Sequence, residues 1–129
     1  AGADKVSIHT YKEIIPEAAG HYGSQAIVCC VQHDGFLEPW DGDAGEFLHQ
    51  SVNLDGTMRG YDTTAIQYAS SHSERPVIAS GGCGSYEHMA QAIDAGTSAV
   101  AAGAMWLFTE QTPLEAKKYL AAKGYPVRL

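Results

Sequence analysis

Positive charge is scarce in this chain. Eight Lys and Arg stand against fifteen Asp and Glu, a net charge of −7 over 129 residues. That balance excludes a nucleic-acid partner, because phosphate-backbone binding draws on clustered cations. It also leaves no basic helix for a membrane surface. No apolar run approaches the ~18 residues that a membrane-spanning helix needs. Cysteine is sparse as well: Cys29 and Cys30 adjoin inside an apolar run, and Cys83 stands between glycines. An odd count without a C-x-x-C spacing excludes a disulfide framework and points to reduced thiols in a cytoplasmic protein. The opening residues, Ala1-Gly2-Ala3-Asp4, lack the basic and apolar regions of a signal peptide. Solenoid-period repeats and low-complexity tracts are absent too.

What remains is an ordinary globular composition, 45% hydrophobic and 18% charged. It predicts one domain over residues 1–129 with a core that needs no staples. Short β-rich runs at 5–9, 26–32, 46–52, 77–80 and 98–102 alternate with helical patterns. That alternation is the signature of α/β units on a parallel sheet. Four helices are expected in the gaps. One begins near Pro16 and stops at Gly23. A second, capped by Asp62 or Thr63, runs through Ile66, Tyr68 and Ala69. A third, capped by Ser85, runs through Met89, Ala92 and Ile93 to Gly96. The fourth opens on the capping box Thr112-Pro113-Leu114-Glu115 and closes at Gly124. Between the second and third strand runs, residues 33–45 read as a loop where a parallel crossover normally carries a helix.

Chemistry concentrates in three loops. Ile78-Ala79-Ser80-Gly81-Gly82-Cys83-Gly84-Ser85 sits at a strand-to-helix junction, where glycines let backbone N–H groups approach an anion. Its spacing is neither that of a P-loop nor that of a dinucleotide fingerprint. The string alone leaves two readings open, a phosphate cradle or a tight turn that binds nothing. Ala102 and Gly103 follow the last strand run. Leu54 to Asp62 forms a long polar loop in which Asp55 is the acid/base candidate, or else a turn residue before Gly56. The six histidines match no metal-ligand spacing, and Asp41-Gly42-Asp43 lacks the rest of a calcium loop, so neither metal nor cofactor is expected. Cys83 has no identifiable base beside it.

Four segments occur in one order: Ala1 to Ile8, Tyr22-Gly23-Ser24-Gln25-Ala26, Leu54-Asp55-Gly56-Thr57-Met58-Arg59-Gly60-Tyr61-Asp62, and Ile78 to Gly84. Together they resemble the cyclase subunit of imidazole glycerol phosphate synthase, a (β/α)8-barrel family of histidine biosynthesis. The resemblance spans the chain and corresponds to the barrel from its fourth strand to its eighth. It implies a partial barrel of about five parallel strands and four helices, with one crossover helix largely deleted. It implies a phosphate site on Gly56, Ser80, Gly81, Gly82, Ala102 and Gly103, and places Thr10 near a second phosphate, although His9 stands where the family usually has Asn. Lys5 and Glu46 match two charged residues at the barrel's ammonia entrance, which implies a glutaminase-like partner.

The departures concern catalysis. One of the family's two catalytic aspartates belongs to a strand this chain lacks, and the position of the other is Gln32, which exchanges no proton near neutral pH. Asn53 replaces a usual Asp. Loss of each acid–base group removes about 10²–10⁴-fold in rate, so the full synthase reaction is not expected. Open sheet edges and bared strand faces predict association, most simply a homodimer, unless Phe36, Leu37 and Trp40 fold back over the gap. Three functions follow: a binding module for a small phosphorylated ligand, a lyase or cyclase completed by oligomerisation or a partner chain with Asp55 as acid/base, or a non-catalytic assembly protein.

Overall fold

A computed structural model describes residues 2–35 and 42–128. Five strands, β1 (Val6–Ile8), β2 (Ile27–His33), β3 (Glu46–Ser51), β4 (Val77–Ser80) and β5 (Ala99–Val100), form one sheet in that order. All neighbouring pairs are parallel. The five expected runs are the five strands, and the last contracts from five residues to two. β2 is buried from Ile27 through Val31, as a strand covered on both faces should be. β3 instead alternates half-buried and buried positions. Its packed side carries Phe47, His49 and Ser51, while Glu46, Leu48 and Gln50 share the other face.

The helices are α1 (Ile15–Tyr22), α2 (Thr63–His72), α3 (Tyr86–Asp94), α4 (Ala104–Phe108) and α5 (Pro113–Ala122). Asp62 caps α2 by accepting from the Ala65 N–H at 3.0 Å, and Ser85 caps α3 by accepting from His88 at 3.3 Å. Helix α4 adds a fifth to the four expected. It is one short turn with no capping side chain, so the sequence offers no polar start signal to find it by.

The capping box gains a third member. Thr112 accepts from the Glu115 N–H at 3.3 Å as expected, and the Glu115 carboxylate in turn accepts from the Thr112 hydroxyl at 3.0 Å and is held by the Thr112 backbone. The Tyr86 hydroxyl also accepts the Thr112 N–H at 3.0 Å and donates to Glu115 at 2.9 Å. A local motif thereby becomes a tie between α3 and α5.

A second expectation is corrected. The shortened connection from β2 to β3 does not leave the helix-side faces of those strands bare. Cys29 is fully buried and Phe47 is 4% exposed; both pack with Ile15 and Ala19 of α1 and with Ala44. The connection re-enters at its end, where the Gly45 N–H is shared between the carbonyls of Ser24 at 2.9 Å and Ile27 at 3.0 Å. Only glycine permits this, since a Cβ there would lie 2.5 Å from the Ser24 oxygen. Phe36, Leu37, Trp40 and Asp41 lie outside the described residues. Among the described residues no helix is long and apolar enough to cross a membrane.

Candidate functional site

Three loops converge beyond the C-terminal ends of β3, β4 and β5, the end at which parallel α/β folds place their sites. Two hydrogen bonds lock them together. The Gly60 N–H donates to the Gly82 carbonyl at 2.8 Å, and the buried Tyr61 hydroxyl donates to the Ala101 carbonyl at 2.8 Å. Burial, with the Cys83 thiol beside it, pushes the Tyr61 phenol well above its ordinary range, so it serves as a fixed donor.

The loops enclose a cavity of about 220 Å³ whose lining includes Gly56, Ser80, Gly81, Gly82, Ala102 and Gly103, with Asp55 on its wall. The six residues assigned by resemblance to one phosphate site thus share one cavity. Among the described residues, no backbone carbonyl outside regular elements accepts from the N–H groups of Gly82, Gly103 or Ala104, and unpaired amides are what an anion site draws on.

The glycines are there for different reasons. Gly82 has φ +98°, and a Cβ on it would lie 2.0 Å from the Gly60 carbonyl oxygen. Backbone approach alone therefore demands glycine there. Gly103 has no positive φ, and a Cβ on it would meet nothing within 4 Å. Packing therefore does not call for a glycine at 103.

Gln32 and Asp55 are brought near one another through a residue that the sequence reading passed over. Gln32 Nε2 donates to Gln50 Oε1 at 3.1 Å, and Gln50 Nε2 donates to Asp55 Oδ2 at 3.0 Å. The register pairs Gln32 with Gln50 and Gln50 with Ser80, so all three share one sheet face. A polar residue on the inner side of β3 was the available signal for Gln50. Gln32 does not itself line the cavity.

Other candidates stand apart. Thr10, beyond β1, has its hydroxyl 3.3 Å from His9 Nδ1 and does not reach the cavity. Lys5 and Glu46 form an ion pair at the other end of the sheet, on the face that carries Gln50. Cys83 is buried and raised in pKa by that burial, its thiol held against Met105 Sδ at 3.2 Å, which suits packing rather than nucleophilic attack. His33 and His49 are buried on the helix side of the sheet with ring centroids 6.2 Å apart. Burial lowers both, and His49 falls to about 4 with His33 and Lys12 nearby adding to the effect. Among the described residues no three His, Cys, Asp or Glu gather as a metal site.

A family model described as "Histidine biosynthesis protein" matches residues 36–112. The imidazole glycerol phosphate synthase subunit HisF of Dictyoglomus turgidum is 35% identical over 157 residues, covering 100% of this chain and 62% of the relative. Its counterpart from Thermobifida fusca is 37% identical over 161 residues, covering 99% and 63%. The chain therefore spans less than two-thirds of the length of these relatives. Among solved structures, the Amycolatopsis orientalis BexX/CysO complex matches with a TM-score of 0.61 at 18% identity, covering 91% of this chain and 51% of that one. At that identity the likeness concerns the fold alone.

Proposed function

Because this chain belongs to the histidine biosynthesis protein family, we propose that it binds phosphate or a small phosphorylated ligand in the cavity lined by Gly56, Ser80 and Gly103. The convergence of six glycine-loop residues on one cavity of about 220 Å³ carries the reading. Gly103 supports it further, since packing leaves its missing side chain unexplained.

The complete cyclase reaction is not expected of this chain. Gln32 stands where a proton-transferring aspartate is expected and can only hydrogen-bond. Asp55 is the acid/base candidate if chemistry remains. Three cysteines, all free, fit a reducing, cytoplasmic setting. The Lys5–Glu46 ion pair, matched by resemblance to two charged residues of the ammonia entrance, supports a glutaminase-like partner at that end of the sheet.

Association is a second part of the reading. The edge strand β1 exposes Val6 and the segment after it Tyr11 and Ile14, while the segment beyond the other edge exposes Leu107, Phe108 and Leu114. Two copies covering these surfaces would remove apolar area from water. Sedimentation at micromolar concentration is expected to give a dimer; a single monomer-mass species overturns this part.

The binding test is a phosphate titration followed by ¹H–¹⁵N NMR, with Gly103→Asp as control. That substitution enters open space and sets a carboxylate in the cavity. Shifts at Gly56, Gly82, Gly103 and Ala104 that vanish in the variant are the expected result. No shift in the wild-type protein at millimolar phosphate overturns the proposal.

A further inference from the structure

A carboxylate on the wall of an anion cavity poses a problem. Asp55 lines the same cavity as Gly56, Gly82 and Gly103, and a negative charge free to face a bound phosphate opposes its binding. From the hydrogen bonds around Asp55 we infer that Gln50 is a positioning residue that holds the Asp55 carboxylate off the anion cradle, with Gln32 fixing Gln50 in turn. This inference rests on the phosphate reading and states how the same site tolerates its own acidic group.

The polarity of the array follows from chemistry. A carboxylate accepts hydrogen bonds and does not donate them, so Gln50 must turn Nε2 toward Asp55 Oδ2, 3.0 Å away. That choice points Gln50 Oε1 at Gln32, which must answer with its own Nε2, at 3.1 Å. The Cys30 thiol adds a weaker donor to the same Oε1 at 3.9 Å. Both amides are thus set in series by one charge. Their backbones are neighbours in the parallel ladder between β2 and β3, so the tether is anchored on sheet rather than on loop. Asp55 itself sits on the loop, its N–H held by the Ser51 carbonyl at 3.0 Å. Its side chain is therefore the movable member, and Gln50 is the anchor.

The test is a thermodynamic cycle read by inorganic phosphate titration in ¹H–¹⁵N NMR. Gln50→Met keeps length and volume and removes the donor. It is expected to weaken phosphate binding about three- to tenfold, the scale of the net contribution of one ordinary hydrogen bond. Asp55→Asn removes the charge and is expected to bind phosphate at least as tightly as the wild type. The decisive comparison is Gln50→Met within Asp55→Asn, where the effect should fall below about twofold because no charge remains to restrain. Gln32→Leu, at an exposed position on a strand, should give a smaller loss that Asp55→Asn also cancels, and it carries the test if the Gln50 variant fails to fold. An equal loss in both Asp55 backgrounds, or no loss at all, overturns the inference while leaving the phosphate site intact. Absence of wild-type phosphate binding overturns the site itself, and this inference with it.

Discussion

The backbones of Gly60 and Gly82 touch: the Gly60 N–H donates to the Gly82 carbonyl at 2.8 Å, and a Cβ on Gly82 would sit 2.0 Å from the Gly60 oxygen. This contact joins the loop after β3 to the loop after β4 and so forms one corner of the cavity. It also makes the two kinds of cavity glycine separable by experiment. Gly82→Ala must shift backbone and adopt a positive φ, and is expected to cost at least ~2 kcal/mol of stability. Gly103→Ala has room, and is expected to change stability by less than about 1 kcal/mol. Urea denaturation of the two variants checks the pair; equal costs would contradict the geometry.

Buried histidines give the fold an acid sensitivity. His49 titrates at about 4 in the folded chain, against 6.5 ordinarily, and burial is the main cause. Its folded pKa is depressed, so the unfolded chain binds the extra proton first. The contribution is fully present above pH 6.5 and is lost as pH falls toward 4, amounting to about 3 kcal/mol. His33 is lowered for the same reason and acts in the same direction. Stability measured by urea unfolding should fall between pH 6.5 and 4, and more shallowly in His49→Phe. An identical slope in that variant would refute the assignment.

Tyr86 links two helices through a single hydroxyl, accepting from the Thr112 N–H and donating to Glu115. The same carboxylate is held below its usual range, first by Tyr86 and then by Thr112. Removing the hydroxyl in Tyr86→Phe leaves both partners short of a bond. The urea midpoint should drop, and by more than in Tyr22→Phe, where the side chain is largely exposed. Equal drops would mean that the tie between α3 and α5 contributes nothing.

The thiols should be silent in the native state. Cys29, Cys30 and Cys83 are buried and free, and burial raises all three. Reaction with a thiol-specific disulfide reagent at pH 8 is expected to await unfolding, with all three groups appearing together in denaturant. A fast-reacting native thiol at Cys83 would reopen the case for a nucleophile.

Much of this was legible in the chain itself. Apolar runs such as Ile27 to Val31 announce strands because parallel strands are covered on both faces. Asp62, Ser85 and Thr112 announce helix starts because each supplies an acceptor for orphan N–H groups. What escaped was set by contacts distant in sequence. Helix α4 carries no cap. Gln50 gains meaning only when Gln32 and Asp55 flank it. The faces of β2 and β3 looked bare because Ala44 and Gly45 show their packing role only once Ser24 and Ile27 stand beside them.

The sequence alone determined the order of the five strands and of four helices, the parallel α/β class and the family, since periodicity, caps and ordered motifs are local properties read residue by residue. Tertiary structure decided which glycines are structural and which keep space open, how Asp55 is held, and why two histidines stay neutral. Those properties depend on atoms that only folding brings within a few ångströms, and hydrogen bonds, steric clashes and desolvation act at that range.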